Sequence, residues 1–165
     1  MKELFKDLAI YTSAALGAYT VLLTLAGAVE NFCSRRIRTK SELEEAVEKE
    51  GIKQGIKDIT IVDFIEKSSP RYKKIRGSRA SVSAYDKTRN KLVPPENADE
   101  SKGIYPINIV EIKEGLGANT GAVKHEVYHL KYHLPGPKNK ILSGLKYFFY
   151  DEPAAILYSL RNLKN

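Results

Sequence analysis

The sequence predicts an α+β fold: a short mixed or antiparallel sheet with an edge strand, one helix packed on it and a C-terminal helix, preceded by an N-terminal hydrophobic helix. Three observations predict it. Alternating, β-branched stretches at 56–65, 79–85 and 104–112 read as strands. Stretches at 41–50, 119–134 and 140–163 carry helix caps, helical periodicity and stop signals. Residues 8–29 contain no charged side chain. The chain therefore divides into residues 1–38, a hydrophobic helix with a basic flank, and residues 39–165, a compact domain.

The uncharged segment is 22 residues long, enough to span a bilayer as a helix. Thr12, Ser13, Gly17, Tyr19, Thr20, Thr24 and Gly27 moderate its hydrophobicity, and Ser13/Gly17 and Ala14/Ala18 would let another helix approach closely. Arg35, Arg36, Arg38 and Lys40 follow it, whereas Lys2 and Lys6 before it are offset by Glu3 and Asp7. That bias predicts a membrane protein whose C-terminal domain is cytoplasmic. Two rivals share the composition: a helix buried in a soluble cytoplasmic homo-oligomer, and a signal peptide cut near Ala26-Gly27-Ala28. Cys33 is the sole cysteine, which excludes an intrachain disulfide and multi-cysteine zinc sites.

Ser41-Glu42-Leu43-Glu44 fits a capping box for a helix that runs to Glu50 and closes at Gly51. The strand at 56–65 ends at Ser68-Ser69-Pro70, and the strand at 79–85 is followed by a loop over 90–103 with a short strand at Lys91–Val93. The clearest strand is 104–112, where Pro106 argues for an edge position at that point. Gly115 and Gly117 make the turn, and Asn119 or Thr120 caps a helix that Pro135-Gly136-Pro137 stops after about Leu134. In the last helical region Pro153 sits near a helix start or at a kink. The net charge of +7 is concentrated at 67–91, where nine Lys or Arg stand against Asp86 alone. Such a span suits anionic lipid or nucleic acid, or a solvated strand edge that lysine and arginine keep from aggregating. Tyr72 and Tyr85 are too sparse for a base-stacking platform.

The pentapeptide His125-Glu126-Val127-Tyr128-His129 carries the chemistry. Histidines four apart on a helix lie on one face, one turn apart, so both can reach one Zn²⁺. Glu126 beside them is then placed to take a proton from the attacking water. Val123, Val127, Leu130 and Leu134 make an apolar stripe, with His125, Glu126 and His129 on a different face. His133 is two turns from His125, about 12 Å of helix rise, and cannot share the ion on a straight helix; it reads as flanking. Glu152, beyond the Pro-Gly-Pro break and beside the small Ala154 and Ala155, is the better third ligand. Asp151 is a candidate to hold a ligand histidine through its second ring nitrogen.

His125-Glu126-x-x-His129 with Glu152-x-x-Ala155 resembles the gluzincin metallopeptidases. The second piece resembles the Glu-x-x-Ala pattern of the HtpX and CAAX prenyl endopeptidase families, which are integral-membrane enzymes. The soluble minigluzincins look like the same catalytic core in minimal form. The likeness covers roughly residues 104–160. Tyr128 stands where the membrane families commonly have glycine, Ile156 where an aspartate follows the Glu-x-x-Ala pattern, and no histidine follows His133. The resemblance implies a zincin-like domain, a Zn²⁺ cofactor, a polypeptide substrate and a zinc metalloendopeptidase, membrane-anchored or soluble and latent. It also implies that the substrate adds as an antiparallel strand to the strand at 104–112, with Asn108 or Glu111 facing the cleft. Tyr128, Tyr150 and Tyr158 are candidates to stabilise the oxyanion. The rival from another class is a non-enzymatic basic protein binding membrane or nucleic acid, with a chance HExxH.

Overall fold

The structure, a computed structural model, describes residues 2–75, 77–132 and 140–162. It is α+β. Helices α1 (Lys2–Cys33) and α2 (Lys40–Gln54) lead into strands β1 (Ile59–Ile65), β2 (Arg79–Asp86), β3 (Lys91–Val93) and β4 (Ile104–Lys113). Helix α3 (Thr120–Tyr132) follows, then α4 (Lys140–Lys146), a π-helical turn (Tyr147–Asp151) and α5 (Glu152–Arg161). His133, Leu134 and the Pro135-Gly136-Pro137 stop lie outside the described residues.

Helix α2 starts two residues earlier than its sequence signal. Thr39 is the N-cap, its hydroxyl accepting from the Glu42 N–H, while the Glu42 carboxylate accepts from the Arg38 N–H at 2.7 Å. Threonine and glutamate thus form a capping-box-like pair two residues upstream of Ser41-x-x-Glu44. At the other end Gly51 is helical, and Gly55 at φ +72° closes the helix, its N–H donating to the Gly51 and Ile52 carbonyls. Only a residue at ease in the left-handed region suits that cap.

The sheet order is β1-β4-β2-β3, with β1 parallel to β4 and the other pairs antiparallel, so the sheet is mixed. Strand β4 is therefore interior, not an edge, and no substrate can add to it. Pro106 itself does sit at a local edge, as its missing N–H suggests: it pairs with Ala84 on β2, and the ladder to β1 begins only at Ile107. Its missing N–H is tolerated because the strand has a single neighbour at that level.

The two-residue side-chain period sorts the sheet into two faces. Val62, Phe64, Ala80, Val110 and Ile112 face Leu43 and Val47 of α2 and Val123 and Val127 of α3. Leu43, Val110, Ile112 and Val127 are completely buried. Each such side chain contributes about 1.5–3 kcal/mol through its burial, and Leu43→Ala should cost about 2–5 kcal/mol. The stripe that fixes the back of α3 is the one the sequence shows. The opposite face carries Asp63, Arg79 and Glu111, which are cross-strand neighbours.

Helix α1 has no buried residue between Ile10 and Val29. Its foot is fixed to the start of α3. Glu30 is buried, the Ile37 N–H donates to the Ala118 carbonyl at 2.8 Å, and the Thr120 N–H donates to the Arg35 carbonyl at 2.9 Å. Gly121 is required there, because a Cβ would stand 2.5 Å from Glu30 Cγ and 2.5 Å from Ser34 Oγ.

Candidate metal centre

Asn119 starts α3, its side-chain oxygen accepting from the Ala122 N–H at 2.9 Å. The buried Val123 and Val127 hold the helix against the sheet and turn His125 and His129 towards α5. The two Nε2 atoms are 3.1 Å apart. Glu152, the first residue of α5, brings Oε1 to 3.4 Å from His125 Nε2 and Oε2 to 3.3 Å from His129 Nε2. Both histidine side chains are 14% exposed. The three residues predicted as ligands therefore converge on one point.

The donor set and its spacing fit a metal ion. Ligand atoms about 2.0–2.1 Å from a tetrahedral Zn²⁺ lie about 3.3 Å from one another; here the imidazole nitrogens are 3.1 Å apart, each faces a different oxygen of Glu152 at 3.3–3.4 Å, and one ligand atom from each residue lies within 4.8 Å of the others. Glu152 Oε2 is out of water and accepts no well-aligned hydrogen bond. A buried carboxylate oxygen without a partner is costly, and a cation between it and the imidazoles would satisfy it.

The electrostatics agree. Burial pushes the Glu152 carboxyl up, but the close approach of the His125 and His129 imidazoles outweighs it and holds its pKa well below the usual carboxylate range. Burial pushes His125 down, yet the hydrogen bond and charge of Glu152, helped by Glu126 and Glu30, leave it raised. Burial raises Glu126, against the opposing charges of His125 and His129. A carboxyl shifted upwards is a stronger base once ionised, as proton abstraction at neutral pH requires.

Glu126 is 8% exposed, and its carboxylate accepts from the Ala80 backbone N–H on β2. That contact locates an open sheet edge. Strand β3 covers β2 only from Ala84 to Asp86, so among the described residues Arg79–Ser83 have no strand on their outer side. Because Ala80 directs its N–H outwards, alternation directs the backbone groups of Val82 the same way.

Several expected participants are elsewhere. Asp151 pairs with Lys146 at 3.1 Å and does not hold a histidine among the described contacts. The Tyr158 hydroxyl donates to Glu50, and Tyr128 stacks between Tyr132 and Tyr158 with ring centroids 4.5 and 5.2 Å away. Tyr150 is 69% exposed. Glu111 is on the sheet face away from α3, held by Arg71 and Arg79. Asn108 is buried on the face shared with Val110 and Ile112, within an interior strand and not at an edge. His133 lies outside the described residues. In the basic span, Lys67, Arg71, Arg79 and Arg89 are paired with Glu114, Asp63 and Glu111, Glu111, and Asp86 respectively.

Two residues at the site escaped the sequence. The Tyr147 ring stacks on His129 at 5.6 Å, and its hydroxyl hydrogen-bonds Glu152. On an α-helix, residues five apart diverge by about 140°. The π-turn, in which the Glu152 N–H donates to the Tyr147 carbonyl, brings Tyr147 and Glu152 together. Pro153, at the start of α5, has no N–H to continue the α-helical ladder, which favours this irregularity. The second residue is Glu30, which hydrogen-bonds Ser159 and lies close enough to His125 for their charges to interact. It rests on Gly121, one turn before His125, over which a helical side chain at position 125 leans. No local motif announces either residue.

Compared with family models, with curated proteins and with solved structures, the chain matches none.

Proposed function

We propose that this chain is a zinc-dependent endopeptidase of the zincin type, anchored in a membrane by α1, with its metal centre on the cytoplasmic side. The convergence of His125, His129 and Glu152 carries the reading, because a chance HExxH has no reason to meet a half-buried carboxylate at metal-ligand spacing. These three side chains would hold the ion, which supplies Lewis-acid polarisation of the scissile carbonyl and a nucleophilic water at neutral pH.

The chain's own groups do the rest. Glu126 takes the proton of the attacking water as oxygen bonds to the carbonyl carbon, then delivers it to the amine as the C–N bond breaks. The products are a carboxylic acid and an amine, with the atoms of one water divided between them. The open backbone of Arg79–Ser83, beside Glu126, is the surface on which an extended substrate would pair. Tyr147 replaces Tyr128, Tyr150 and Tyr158 as the phenol nearest the reacting carbonyl oxygen. Anchoring is supported by the 21-residue stretch Ile10–Glu30, whose mean hydropathy is 1.5 and whose apolar residues are not buried. Arg35, Arg36 and Arg38 at its foot favour the cytoplasmic side for the domain.

The test is zinc stoichiometry and peptide-library cleavage for wild type and Glu126→Gln. Wild type should bind about one zinc per chain and cleave. Glu126→Gln should keep the metal and lose about 10²–10⁴-fold in rate, as expected when a general base is removed. Absence of bound zinc in wild type, or full activity in Glu126→Gln, refutes the reading.

A further inference from the structure

The two end strands of the sheet differ in how they are guarded. Natural sheet edges are blunted by proline, lysine, shortness or a bulge. Strand β3 is three residues long, starts with Lys91 and is followed by Pro94 and Pro95. Strand β1, at the other end of the order, has seven residues and neither a proline nor a lysine. Its one charged side chain, Asp63, pairs with Arg71. Among the described residues no strand lies on its outer side.

One bond sets which backbone groups of β1 are open. The Glu114 N–H donates to the Ile65 carbonyl at 3.0 Å, so Ile65 directs its backbone groups towards β4. Alternation then directs those of Thr60, Val62 and Phe64 outwards, where each offers one donor and one acceptor. The same outer side opens on a groove of about 410 Å³ between β1 and α2. Val47, Ile52, Ile56 and Val62 make it apolar, with Ile52 72% exposed. The charged residues that line it are all acidic: Glu44, Glu48 and Asp58. In a chain of net charge +7 that local sign is an exception. Glu44 pairs with Lys40 at 3.5 Å, whereas Glu48 and Asp58 have no cation partner among the described residues.

We propose that the outer edge of β1 is a docking site for a partner protein, which adds an extended segment to the sheet beside β1. That segment places an aliphatic side chain in the groove, with lysine or arginine two residues away on either side. Backbone pairing gives such a contact its affinity, and the alternate side chains give it specificity. Residues two apart on a strand share a face, so the basic pair meets the acidic rim where the aliphatic one enters. A second copy of this chain is a poor occupant. Two β1 strands joined antiparallel in one sheet would keep both α2 helices on one face and set acidic rim against acidic rim. The metal centre lies elsewhere: Glu126 touches Ala80 on β2, and β4 stands between β2 and β1. Docking at β1 therefore needs no turnover, and the docked segment is not the one presented to the metal.

The test uses the full chain in detergent micelles with Glu126→Gln, so that no cleavage consumes the probe. The probe is the peptide acetyl-Thr-Lys-Thr-Val-Thr-Lys-Thr-amide, which carries valine between two lysines on one face. It should bind saturably, and binding should weaken about tenfold or more in Glu48→Lys with Asp58→Lys, where like charge meets like charge. Replacing its lysines by glutamate should abolish binding. Two further forms are N-methylated at odd or at even positions. One should lose binding and the other keep it, because only alternate amides face β1. Amide exchange at Thr60, Val62 and Phe64 should slow several-fold on binding.

No saturable binding up to about 1 mM, equal binding of the glutamate form, or the same response from both methylated forms overturns the proposal. So does protection at Arg79–Ser83 in place of β1, which puts the peptide on the edge beside Glu126. Protection of β1 that rises with protein concentration before any peptide is added also overturns it, because a second copy then covers the edge.

Discussion

Two carboxylates in this chain, one buried and one half-buried, meet their charge in opposite ways. Glu111, with a side chain 6% exposed, lies between Arg79 and Arg71, one guanidinium to each oxygen, and Asp63 shares Arg71. Burial pushes Glu111 up, but the Arg79 and Arg71 hydrogen bonds and charges outweigh it and hold it below the usual range. Its charge is matched by permanent cations, so it is complete as structure. Glu152 is also held low, yet its partners are two imidazoles and a phenol, and one of its oxygens has no well-aligned donor. The pairing of a carboxylate with arginine explains burial by itself. The convergence of a carboxylate with two imidazole nitrogens asks for an ion.

Glu152→Ala should break this contrast most strongly. Zinc content after dialysis against a weak chelator should fall from about one per chain to near zero, and cleavage with it. Glu111→Ala, with a more deeply buried carboxylate removed, should keep its zinc. Equal zinc in both variants would erase the distinction between the sites. Tyr147→Phe is the next largest effect. It removes the hydroxyl beside Glu152 but keeps the stacking on His129, so kcat should fall about 10²-fold with metal content unchanged. An unaltered kcat would leave Tyr147 as packing only. Glu30→Ala then asks whether a carboxylate behind His125 supports the site from α1. Chelator competition should show zinc affinity about 10–100-fold weaker. Gly121→Ala should act in the same direction, because its Cβ displaces Glu30.

What the sequence revealed divides along the range of the interactions. His125, Glu126 and His129 were legible because helical spacing is local. The back of α3 was legible because Val123 and Val127 recur at that spacing. Glu152 was found through its motif, and the structure brings it to the histidines. The strands were found but not their order, since alternation identifies a strand without naming its neighbours. Pro106 marks one local edge of β4, and the sequence does not show that the open edge beside Glu126 is Arg79–Ser83 of β2. Asn108 and Glu111 are three residues apart, so the two-residue period already assigns them to opposite faces, and only one could ever have faced α3. The cap of α2 was ambiguous because Thr39-x-x-Glu42 and Ser41-x-x-Glu44 overlap. Tyr147 depends on a π-turn that a 3.6-residue period hides. Glu30 and His125 are separated by the whole sheet in sequence, and only the foot of α1 brings them together.

The smallest effect tests the structural half of the contrast. Glu111→Gln retains the shape but loses the charge that Arg71 and Arg79 enclose. Both guanidiniums are more than half exposed, so water screens much of the interaction, and the cost should be on the order of 1 kcal/mol. The sign with pH follows from the depressed pKa of Glu111. The unfolded chain binds the proton more tightly, so the stabilisation is full above the unfolded glutamate value of about 4.3. It is lost as pH falls from there through the lower folded value. Thermal unfolding from pH 7 to pH 3 should therefore show wild type above Glu111→Gln near neutrality and the two converging in acid, with zinc content unaffected. A gap that stays constant with pH would mean that shape, not charge, holds Glu111. It would then no longer serve as the satisfied counterpart to Glu152.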